Sequence, residues 1–240
     1  MNKTIYVAWF QGFEKAPDIV KQSINSWKQH NPDWTIIFLD NSNLSNYVNL
    51  NESMNISKKI LTPQARSDIV RLCLLKTYGG LWVDATTFCN KPLDEWLPNY
   101  IQEGFFGFHK PAPDKLISSW FLYAEKDNYI INKWWESVIE YYLHRKSPHT
   151  YYWVHSLFGQ CYKNDTMFKE IWDKVPKLSA NGPHTIINKM FNPINPKIKE
   201  HIDKKATPLY KLTHRGKFPK YNESLTVYYL YSKIPHLPSA

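Results

Sequence analysis

The first part of the chain alternates between short apolar runs and an amphipathic stretch. Residues 4–10, "TIYVAWF", are rich in β-branched and aromatic side chains and predict a buried strand. Residues 18–31 carry apolar side chains at helical spacing, and residues 35–40, "TIIFLD", form a second short apolar run. A strand, a helix and a strand in this order predict a βαβ unit with a right-handed crossover.

A second helix and a third strand extend this pattern. Residues 41–61 are polar and rich in asparagine, which predicts a loop with a short helix. Thr62 is suited to cap the next helix, with Pro63 at its first position, and the Gly-Gly pair at 79–80 ends it. Residues 81–85, "LWVDA", then predict a third strand, so the whole pattern indicates an α/β fold with a mainly parallel sheet flanked by helices.

The rest of the chain predicts helices more than strands. Four stretches have apolar side chains spaced as in helices, and they are residues 116–126, 129–146, 153–164 and 166–175. Residues 181–240 are rich in Pro and Lys and only weakly periodic. No repeat or linker interrupts the chain, so we expect one domain over residues 1–240 with a helical and irregular C-terminal portion.

Composition adds a constraint on the partners. Aromatic residues make up 16% of the chain, and the formal net charge is +9. So many rings predict that some lie outside the core, in a groove or at a membrane edge. A basic surface favours partners that carry phosphate, such as a nucleotide. Because the basic residues are scattered and form no dense run, the sequence argues against nucleic acid as a partner.

The cysteines and the N-terminus bear on the compartment. Cys73, Cys89 and Cys161 form no CxxC pair, and Cys73 falls in an apolar helical pattern that predicts its burial. The odd count, with an N-terminal apolar run too short for a signal peptide, indicates a reducing compartment. No apolar run reaches the roughly 18 residues that a membrane span needs. We therefore expect a cytoplasmic protein, or one attached peripherally to the inner face of the cell membrane.

Three charged residues are the first candidates for chemistry. Asp84 directly follows the third predicted strand, and in open α/β sheets ligands bind beyond the carboxyl ends of the strands. Such an acid can coordinate Mg²⁺ or Mn²⁺, or it can cap a turn through its own side chain. Asp68 and Arg71 lie three residues apart on the preceding helix. They form either a surface ion pair or a carboxylate and guanidinium directed at a ligand rich in hydroxyls.

These residues belong to a stretch that resembles a known signature. Residues 65–86, "ARSDIVRLCLLKTYGGLWVDAT", are similar to capsular polysaccharide synthesis proteins and to the related DXD sugar-binding, family-32-like glycosyltransferases. Those proteins pair a Ser-Asp-x-x-Arg helix with a Gly-Gly-aliphatic-aromatic-x-Asp strand end. Residues 9–34 resemble their first βαβ unit, and "YKLTHR", residues 210–215, resembles the segment that closes their active sites. The likeness is strong over about residues 5–90 and thinner beyond.

The resemblance implies a GT-A (Rossmann-like) fold that binds a nucleotide sugar and transfers the sugar. In this interpretation residues 1–110 would bind the donor, and residues 111–240 would form the acceptor side. By the same resemblance, Asp68 and Arg71 would hold hydroxyls of the donor sugar, and Asp84 would fill the first DXD position. The remaining donor-binding residues implied are Trp9 and Gln11 beside the base, Thr86 and Arg215.

The sequence departs from the broad family at the second acid of the DXD motif. That position is Thr86, whose hydroxyl is a weaker metal ligand than a carboxylate. Two explanations stay open. Either Asp84 shares a Mn²⁺ or Mg²⁺ with a distant residue such as His214, or basic groups neutralise the pyrophosphate instead. The basic candidates are Arg215, Lys211 and Lys217. His214 is equally compatible with an ordinary histidine in a basic tail.

Three further features are weaker. "NGPHTI", residues 181–186, either lines an acceptor pocket through His184 or forms a structural turn. The aromatic stripe of residues 132–146 either packs in the core or sits on an anionic membrane. His155, within an aromatic helix, is interpreted as a structural histidine with its hydrogen bonds satisfied.

We predict that the protein is a glycosyltransferase that uses Asp84 and Arg71 as catalytic residues, and the resemblance implies that it retains the anomeric configuration. It would transfer a hexose or N-acetylhexosamine from a UDP-sugar to an oligosaccharide or lipid-linked acceptor of a bacterial surface glycan. Two alternatives remain. A sugar nucleotidyltransferase usually shows a Gly-rich phosphate loop after the first strand, which "FQGFEKAP", residues 10–17, matches poorly. A non-catalytic protein that binds carbohydrate or a membrane surface is the other.

Overall fold

The computed structural model of the protein describes residues 1–54, 59–216, 218–220 and 222–234. The strands are β1 (Thr4–Ala8), β2 (Thr35–Leu39), β3 (Gly80–Val83), β4 (Thr87–Cys89), β5 (Phe105–Ala112), β6 (Lys115–Ala124) and β7 (Leu209–Lys211). The helices are α1 (Asp18–His30), α2 (Leu50–Met54), α3 (Pro63–Tyr78), α4 (Tyr129–Leu143), α5 (Trp153–Asn164), α6 (Thr166–Lys174), α7 (Asn181–His184), α8 (Pro196–Asp203) and α9 (Thr226–Tyr231).

A five-stranded sheet in the order β2-β1-β3-β6-β5 forms the centre of the fold. β1 pairs in parallel with β2 and β3, whereas β6 is antiparallel to both β3 and β5. Four of the five strands therefore point the same way, and β6 alone opposes them. This confirms the prediction of an α/β fold with a mainly parallel sheet. β4 and β7 form a separate two-stranded antiparallel sheet.

The first βαβ unit and the short helix that follows it lie where the sequence predicts them. β1, α1 and β2 occupy the predicted strand, helix and strand, and α2 falls inside the predicted loop with a short helix. Part of that loop, residues 55–58, lies outside the described residues. The predictions for α4, α5 and α6 are also confirmed.

The predicted helix at residues 116–126 is wrong, because this segment forms most of β6. The strand is buried along nearly its whole length and lies between β3 and β5. A strand that is covered on both faces has a continuous apolar run without the alternation that identifies strands in sequence. β6 and β5 form a hairpin, and residue 110 lies within β5. The predicted division of the chain at residue 110 thus does not coincide with a break in the sheet.

The junction between α3 and β3 depends on two local features. The Thr62 side chain accepts a hydrogen bond from the Ala65 N–H at 3.1 Å, the predicted N-cap, which typically stabilises a helix by about 1 kcal/mol. Gly79 and Gly80 have φ values of 68° and 103°, in the region that glycine favours. A Cβ on Gly80 would also lie 2.8 Å from the Thr4 carbonyl oxygen of β1. The two glycines therefore allow the chain to leave α3 and enter the sheet at once.

One hydrophobic cluster contains residues from both predicted parts of the chain, 1–110 and 111–240. It includes the rings of α4, where Trp134, Trp135, Tyr141 and Tyr142 are buried. The interpretation of this helix as a membrane seat is therefore wrong, because its aromatic stripe faces the core. Cys73 is buried as predicted, and the cysteines are free thiols. Within the described part of the chain, no helix is both long and apolar enough to cross a bilayer.

Candidate active site

Asp84 lies directly after β3, at the carboxyl edge of the central sheet. Its backbone N–H donates to the Trp120 carbonyl of β6 at 2.8 Å, which fixes the position of the residue. Its Oδ1 accepts hydrogen bonds from Arg71 Nη2 at 3.2 Å and Trp82 Nε1 at 3.0 Å. Its Oδ2 accepts from Lys211 Nζ at 3.1 Å. Both carboxylate oxygens are thus held by donors from three different segments of the chain.

The turn after β3 is closed by the backbone, since the Asp84 carbonyl accepts the Thr87 N–H at 2.8 Å. The Asp84 side chain therefore does not cap the turn but belongs to a charged cluster, which consists of Asp68, Arg71, Asp84 and Lys211. Burial raises the pKa of Asp84, but the Lys211 ammonium and the Arg71 guanidinium outweigh burial and hold the pKa below its usual value. The carboxylate is ionised at neutral pH, and 27% of the side chain is exposed. It is accordingly accessible to a ligand.

Asp68 and Arg71 form a buried ion pair in α3. Arg71 Nη1 lies 2.7 Å from Asp68 Oδ1, and only 4% and 2% of the two side chains are exposed. The interpretation of this pair as a surface interaction is therefore wrong. Asp68 Oδ2 also accepts hydrogen bonds from Trp153 Nε1 at 3.1 Å and Gln64 Nε2 at 3.2 Å. Burial raises the pKa of Asp68 to about 7, although the Arg71 guanidinium acts in the opposite direction. A carboxylate that is this expensive to bury is typical of a functional site.

Arg71 connects the two carboxylates. Its Nη1 pairs with Asp68, while its Nη2 donates to Asp84 and, at 3.2 Å, to Ser67 Oγ. The guanidinium carbon lies 5.3 Å from the centre of the Trp82 ring, within cation–π range. Nε has no hydrogen-bond partner in the described part of the chain. The guanidinium is thus held in one orientation between two acids.

The segment 210–215 reaches this cluster by pairing with the chain just after Asp84. β7 runs antiparallel to β4, and the Leu212 N–H donates to the Thr86 carbonyl at 2.9 Å. This pairing places Lys211 Nζ 3.1 Å from Asp84 Oδ2 and 2.7 Å from Thr86 Oγ1. The ammonium therefore bridges the first and third positions of the Asp-Ala-Thr sequence. Lys217, the other lysine considered above, lies outside the described residues.

Trp9 and Arg215, predicted to bind the donor, and His214, predicted to bind a metal, lie around this cluster with fewer contacts. The rings of Trp9 and His214 meet edge to face at 5.2 Å between centroids. Desolvation and the charges of Lys211 and Arg215 lower the pKa of His214, so its imidazole is neutral at pH 7. The Arg215 guanidinium lies 5.7 Å from the Tyr151 ring centre.

Gln11 stands apart, because it is exposed and no contact within the described residues joins it to the cluster. A cavity of about 310 Å³, the lower end for ligand pockets, opens beside the segment 210–215 and is lined in part by Thr213, Arg215 and Gly216. Asp84 is not among its lining residues.

A rim of aromatic and basic side chains adjoins the cluster at the start of α5. Tyr151 and Tyr152 are 51% and 49% exposed, and Lys115 Nζ lies 4.2 Å from the Tyr152 ring centre. The Tyr151 carbonyl accepts from Gln64 Nε2 at 2.7 Å, which ties this rim to the side chain that also contacts Asp68. Two of the rings that the composition places outside the core are therefore found beside the charged cluster.

His155 differs from its prediction as a satisfied structural histidine. Its Nδ1 is buried without a hydrogen-bond partner among the described residues. Burial, with the nearby charges of Arg71 and Lys115, lowers the pKa of His155 to about 4. His184 lies in the short helix α7, not in a simple turn, and its ring lies 5.7 Å from that of Trp120. Both imidazoles are therefore near segments that contact Asp84.

The divalent cation that the DXD resemblance implies needs several oxygen or imidazole ligands. The part of the chain that the structure describes contains no group of three or more His, Cys, Asp or Glu side chains that could hold a metal. Between Asp84 and Thr86 lies the Lys211 ammonium, not an open position. As they are placed, these residues do not fit a resident divalent cation, and Asp84 with His214 as metal ligands stays a prediction.

Sequence reasoning overlooked three residues of the cluster. Gln64 is four residues before Asp68 on the same helical face, a spacing that is visible in the sequence. Trp82 lies two residues before Asp84, so in an extended chain the two side chains are on the same face, which is also a local signal. Trp153 donates to Asp68 although the two residues are 85 positions apart in the sequence, and no local pattern predicts that contact.

The fold and the cluster together define an α/β protein with a charged site at the carboxyl edge of its sheet. The chain belongs to the capsular polysaccharide synthesis protein family, which matches residues 1–233. Family membership confirms the resemblance carried by the Ser-Asp-x-x-Arg helix and the strand end at Asp84.

Individual relatives match part of the chain. Over 154 residues it is 28% identical to the O-glycosyltransferase braB of Annulohypoxylon truncatum, covering 56% of this chain and 36% of that protein. Over 156 residues it is 23% identical to the O-glycosyltransferase PaGT of Phomopsis amygdali, covering 58% and 38%. The alignments thus span less than half of these relatives. The solved PaToxG glycosyltransferase covers 72% of this chain and 73% of its own, with a TM-score of 0.49 and 18% identity.

Proposed function

We propose that this protein is a glycosyltransferase that takes a sugar from a nucleoside-diphosphate sugar. Membership of the capsular polysaccharide synthesis family supports this, as do relatives that are named glycosyltransferases. The observation that carries the proposal is the position of Asp84. It follows β3 at the carboxyl edge of the sheet, is partly exposed, and is oriented by Arg71, Trp82 and Lys211. Ligands of open α/β sheets bind at this edge.

The cluster offers complementary groups for a sugar and for a diphosphate. The Asp84 carboxylate can accept hydrogen bonds from sugar hydroxyls, and the Arg71 guanidinium, which is held in turn by the buried Asp68, fixes its orientation. Such preorganised charges stabilise a transition state more than a flexible site can. Lys211 and Arg215 supply positive charge on the side that the segment 210–215 covers, which suits the leaving diphosphate.

Trp9 and His214 form the neighbouring aromatic contact, where the donor's base would lie. We assign the acceptor to the side of Tyr151 and Tyr152, because exposed aromatic rings beside the cluster offer an apolar face with a polar tip.

The finer features of this function are proposals of the same kind. We take a UDP-sugar as the donor, with a hexose or N-acetylhexosamine, and an oligosaccharide or lipid-linked glycan of a bacterial surface as the acceptor. Retention of the anomeric configuration fits a front-face reaction, in which the leaving phosphate oxygen receives the proton of the acceptor hydroxyl. A cytoplasmic location, with peripheral contact to the membrane that carries a lipid-linked acceptor, would complete this assignment.

The proposal is tested by release of UDP from a panel of UDP-sugars, with and without oligosaccharide acceptors. We expect one donor to be consumed and its turnover to fall by about 100- to 1000-fold in Asp84→Asn, the loss typical for one preorganised polar group. Asp94→Asn is the matched control, because Asp94 forms a surface ion pair with Lys3 and lies away from the cluster. If Asp84→Asn folds normally and keeps wild-type turnover, the assignment of this site is wrong.

Measurements of donor binding and of pyrophosphate release, made beside this assay, separate the alternatives. A non-catalytic binding protein would bind a sugar nucleotide without releasing UDP over time. A nucleotidyltransferase would release pyrophosphate when it is supplied with a nucleoside triphosphate and a sugar phosphate. Either result would replace the glycosyltransferase proposal.

A further inference from the structure

The contacts of Lys211 extend the proposed function to the way in which the donor's charge is neutralised. Lys211 Nζ lies 3.1 Å from the carboxylate Oδ2 of Asp84 and 2.7 Å from the hydroxyl of Thr86. An ammonium donates three hydrogen bonds. These two oxygens are its hydrogen-bond acceptors in the described part of the chain, which leaves one N–H for a ligand. The side chain is 15% exposed, so the charge lies at the edge of the site and not in the core.

A cation that bridged Asp84 and Thr86 would have to occupy the position of this ammonium. The ligands that such an ion needs are also poor, because Thr86 supplies a hydroxyl and both Asp84 oxygens already accept N–H donors. The Lys211 ammonium, in contrast, already pairs with a carboxylate, and the backbone of Lys211 is fixed by its pairing in a sheet. Its backbone in β7 pairs with Thr87, the first residue of β4, and β4 begins three residues after Asp84.

We propose that Lys211 takes the role of a divalent cation, so that the protein binds the donor diphosphate and transfers the sugar without a resident metal. This inference rests on the proposed glycosyltransferase function. The free N–H of Lys211 contacts a non-bridging oxygen of the β-phosphate, while Asp84 and Thr86 hold the ammonium in place. The exposed Arg215, four residues further along the same segment, supplies a second positive charge.

The reaction balances without a metal. The bond between the sugar C1 and the β-phosphate oxygen breaks, and its electron pair stays on the leaving diphosphate. A bond forms between C1 and the acceptor oxygen, and the acceptor's proton passes to the diphosphate oxygen. Lys211 keeps its proton throughout and stabilises the negative charge that develops on the leaving group.

Binding is tested first, because it does not depend on turnover. UDP and uridine are titrated calorimetrically into wild-type protein in the presence of EDTA, with GDP and guanosine as a second nucleotide pair. We expect UDP to bind in the presence of EDTA. Lys211→Met should weaken the affinity for UDP by about 10- to 100-fold, which corresponds to the loss of one charge-assisted hydrogen bond. Uridine affinity should stay within about twofold, since uridine carries no phosphate.

Two variants control this measurement. Lys211→Arg keeps a positive charge in the same place and should retain most of the UDP affinity. Lys204→Met removes a lysine whose Nζ pairs with Glu200 on the exposed face of α8, and it should leave both affinities unchanged. The role assigned to Lys211 is wrong if Lys211→Met and Lys204→Met weaken UDP binding equally. It is also wrong if Lys211→Met weakens uridine binding as much as UDP binding.

Turnover distinguishes this inference from the proposed function. We expect UDP release by the wild-type protein to be unchanged by EDTA and to rise by less than about twofold with Mn²⁺, since bound metal would supply far more than that. If EDTA abolishes turnover and Mn²⁺ restores it, the protein is a glycosyltransferase that needs a metal, and only the role of Lys211 is overturned. If no nucleoside diphosphate binds and no donor is consumed with or without metal, the proposed function itself fails.

Discussion

Two ion pairs share the charged cluster, and they differ in their distance from solvent. The inner pair, Arg71 with Asp68, has side chains that are 4% and 2% exposed. The outer pair, Lys211 with Asp84, has side chains that are 15% and 27% exposed. Arg71 also contacts Asp84, so the inner pair orients the outer one.

The difference indicates a division of roles. A buried ion pair is expensive to desolvate, and it is tolerated only when further donors satisfy its free oxygens. Trp153 and Gln64 do this for Asp68. The outer pair needs less of this support because solvent reaches it, and for the same reason a ligand can reach it. We therefore expect changes in the inner pair to reduce stability, and changes in the outer pair to reduce activity.

The largest effect is expected for Arg71→Ala, which leaves the buried Asp68 carboxylate without its cation. Removing one partner of a buried pair typically lowers the free energy of unfolding by about 3–5 kcal/mol. Urea unfolding followed by circular dichroism measures this change. Arg66→Ala is the matched control in the same helix, because the Arg66 guanidinium stacks on the partly buried Phe10 ring instead of a buried acid. A loss below about 1 kcal/mol for Arg71→Ala would remove the distinction between inner and outer pair.

The second prediction compares Asp68→Asn with Asp84→Asn. Asp84→Asn should reduce turnover by about 100- to 1000-fold while changing the free energy of unfolding by less than about 1 kcal/mol. Asp68→Asn should change stability by more than Asp84→Asn, because only Asp68 is fully enclosed. Both variants are measured by urea unfolding and by UDP release. The same ratio of stability loss to activity loss in both variants would contradict the division of roles.

The third prediction concerns the pH dependence that His155 introduces beside the inner pair. Its folded pKa of about 4 lies below the ordinary histidine value of 6.5, because burial and the charges of Arg71 and Lys115 disfavour the imidazolium. The unfolded chain therefore takes up this proton first. The stability contributed by neutral His155 is complete above pH 6.5 and is lost as the pH falls towards 4.

Unfolding of the wild type and of His155→Gln at pH 7 and pH 4.5 measures this contribution. Acidification should cost the wild type about 2 kcal/mol more than the variant. The same difference between His155 and His155→Gln should be found when both proteins also carry Arg71→Lys, because this change keeps the positive charge beside the imidazole. An equal loss in the wild type and His155→Gln would show that the imidazole titrates normally.

The smallest effect is expected for Trp153→Phe, which removes one donor to Asp68 and keeps an aromatic ring. The loss of one hydrogen bond to a buried carboxylate should lower the free energy of unfolding by about 1–2 kcal/mol. Trp134→Phe is the comparison, because Trp134 Nε1 donates to the neutral Val154 carbonyl in the same part of the core. Equal losses in the two variants would mean that the charge of Asp68 adds nothing to this bond.

Local patterns predict the part of this site that α3 and β3 form. The N-cap at Thr62, the glycines at 79–80 and the acid at the end of β3 follow from the conformational preferences of single residues. The spacing of Asp68 and Arg71 is likewise a local property of a helix. Whether that pair is buried or exposed is not a local property, because it depends on α5, which places Trp153 over α3.

The strand order escapes prediction for a related reason. The sequence of β6 resembles that of a helix because the strand is buried on both faces, and that burial depends on helices distant in sequence, such as α3 and α5, which pack against it. β7 is only three residues long and follows an irregular segment, so its apolar pattern is too short to identify.

The sequence by itself determined an α/β fold, the helix that presents Asp68 and Arg71, and the strand that ends in Asp84, because each depends on neighbours within a few residues. Only the tertiary structure decided which cation faces Asp84. Lys211 and Asp84 are 127 residues apart in the chain, and the pairing of β4 with β7 brings them within 3.1 Å. Such a contact depends on the closure of the whole fold, which no short stretch of sequence encodes.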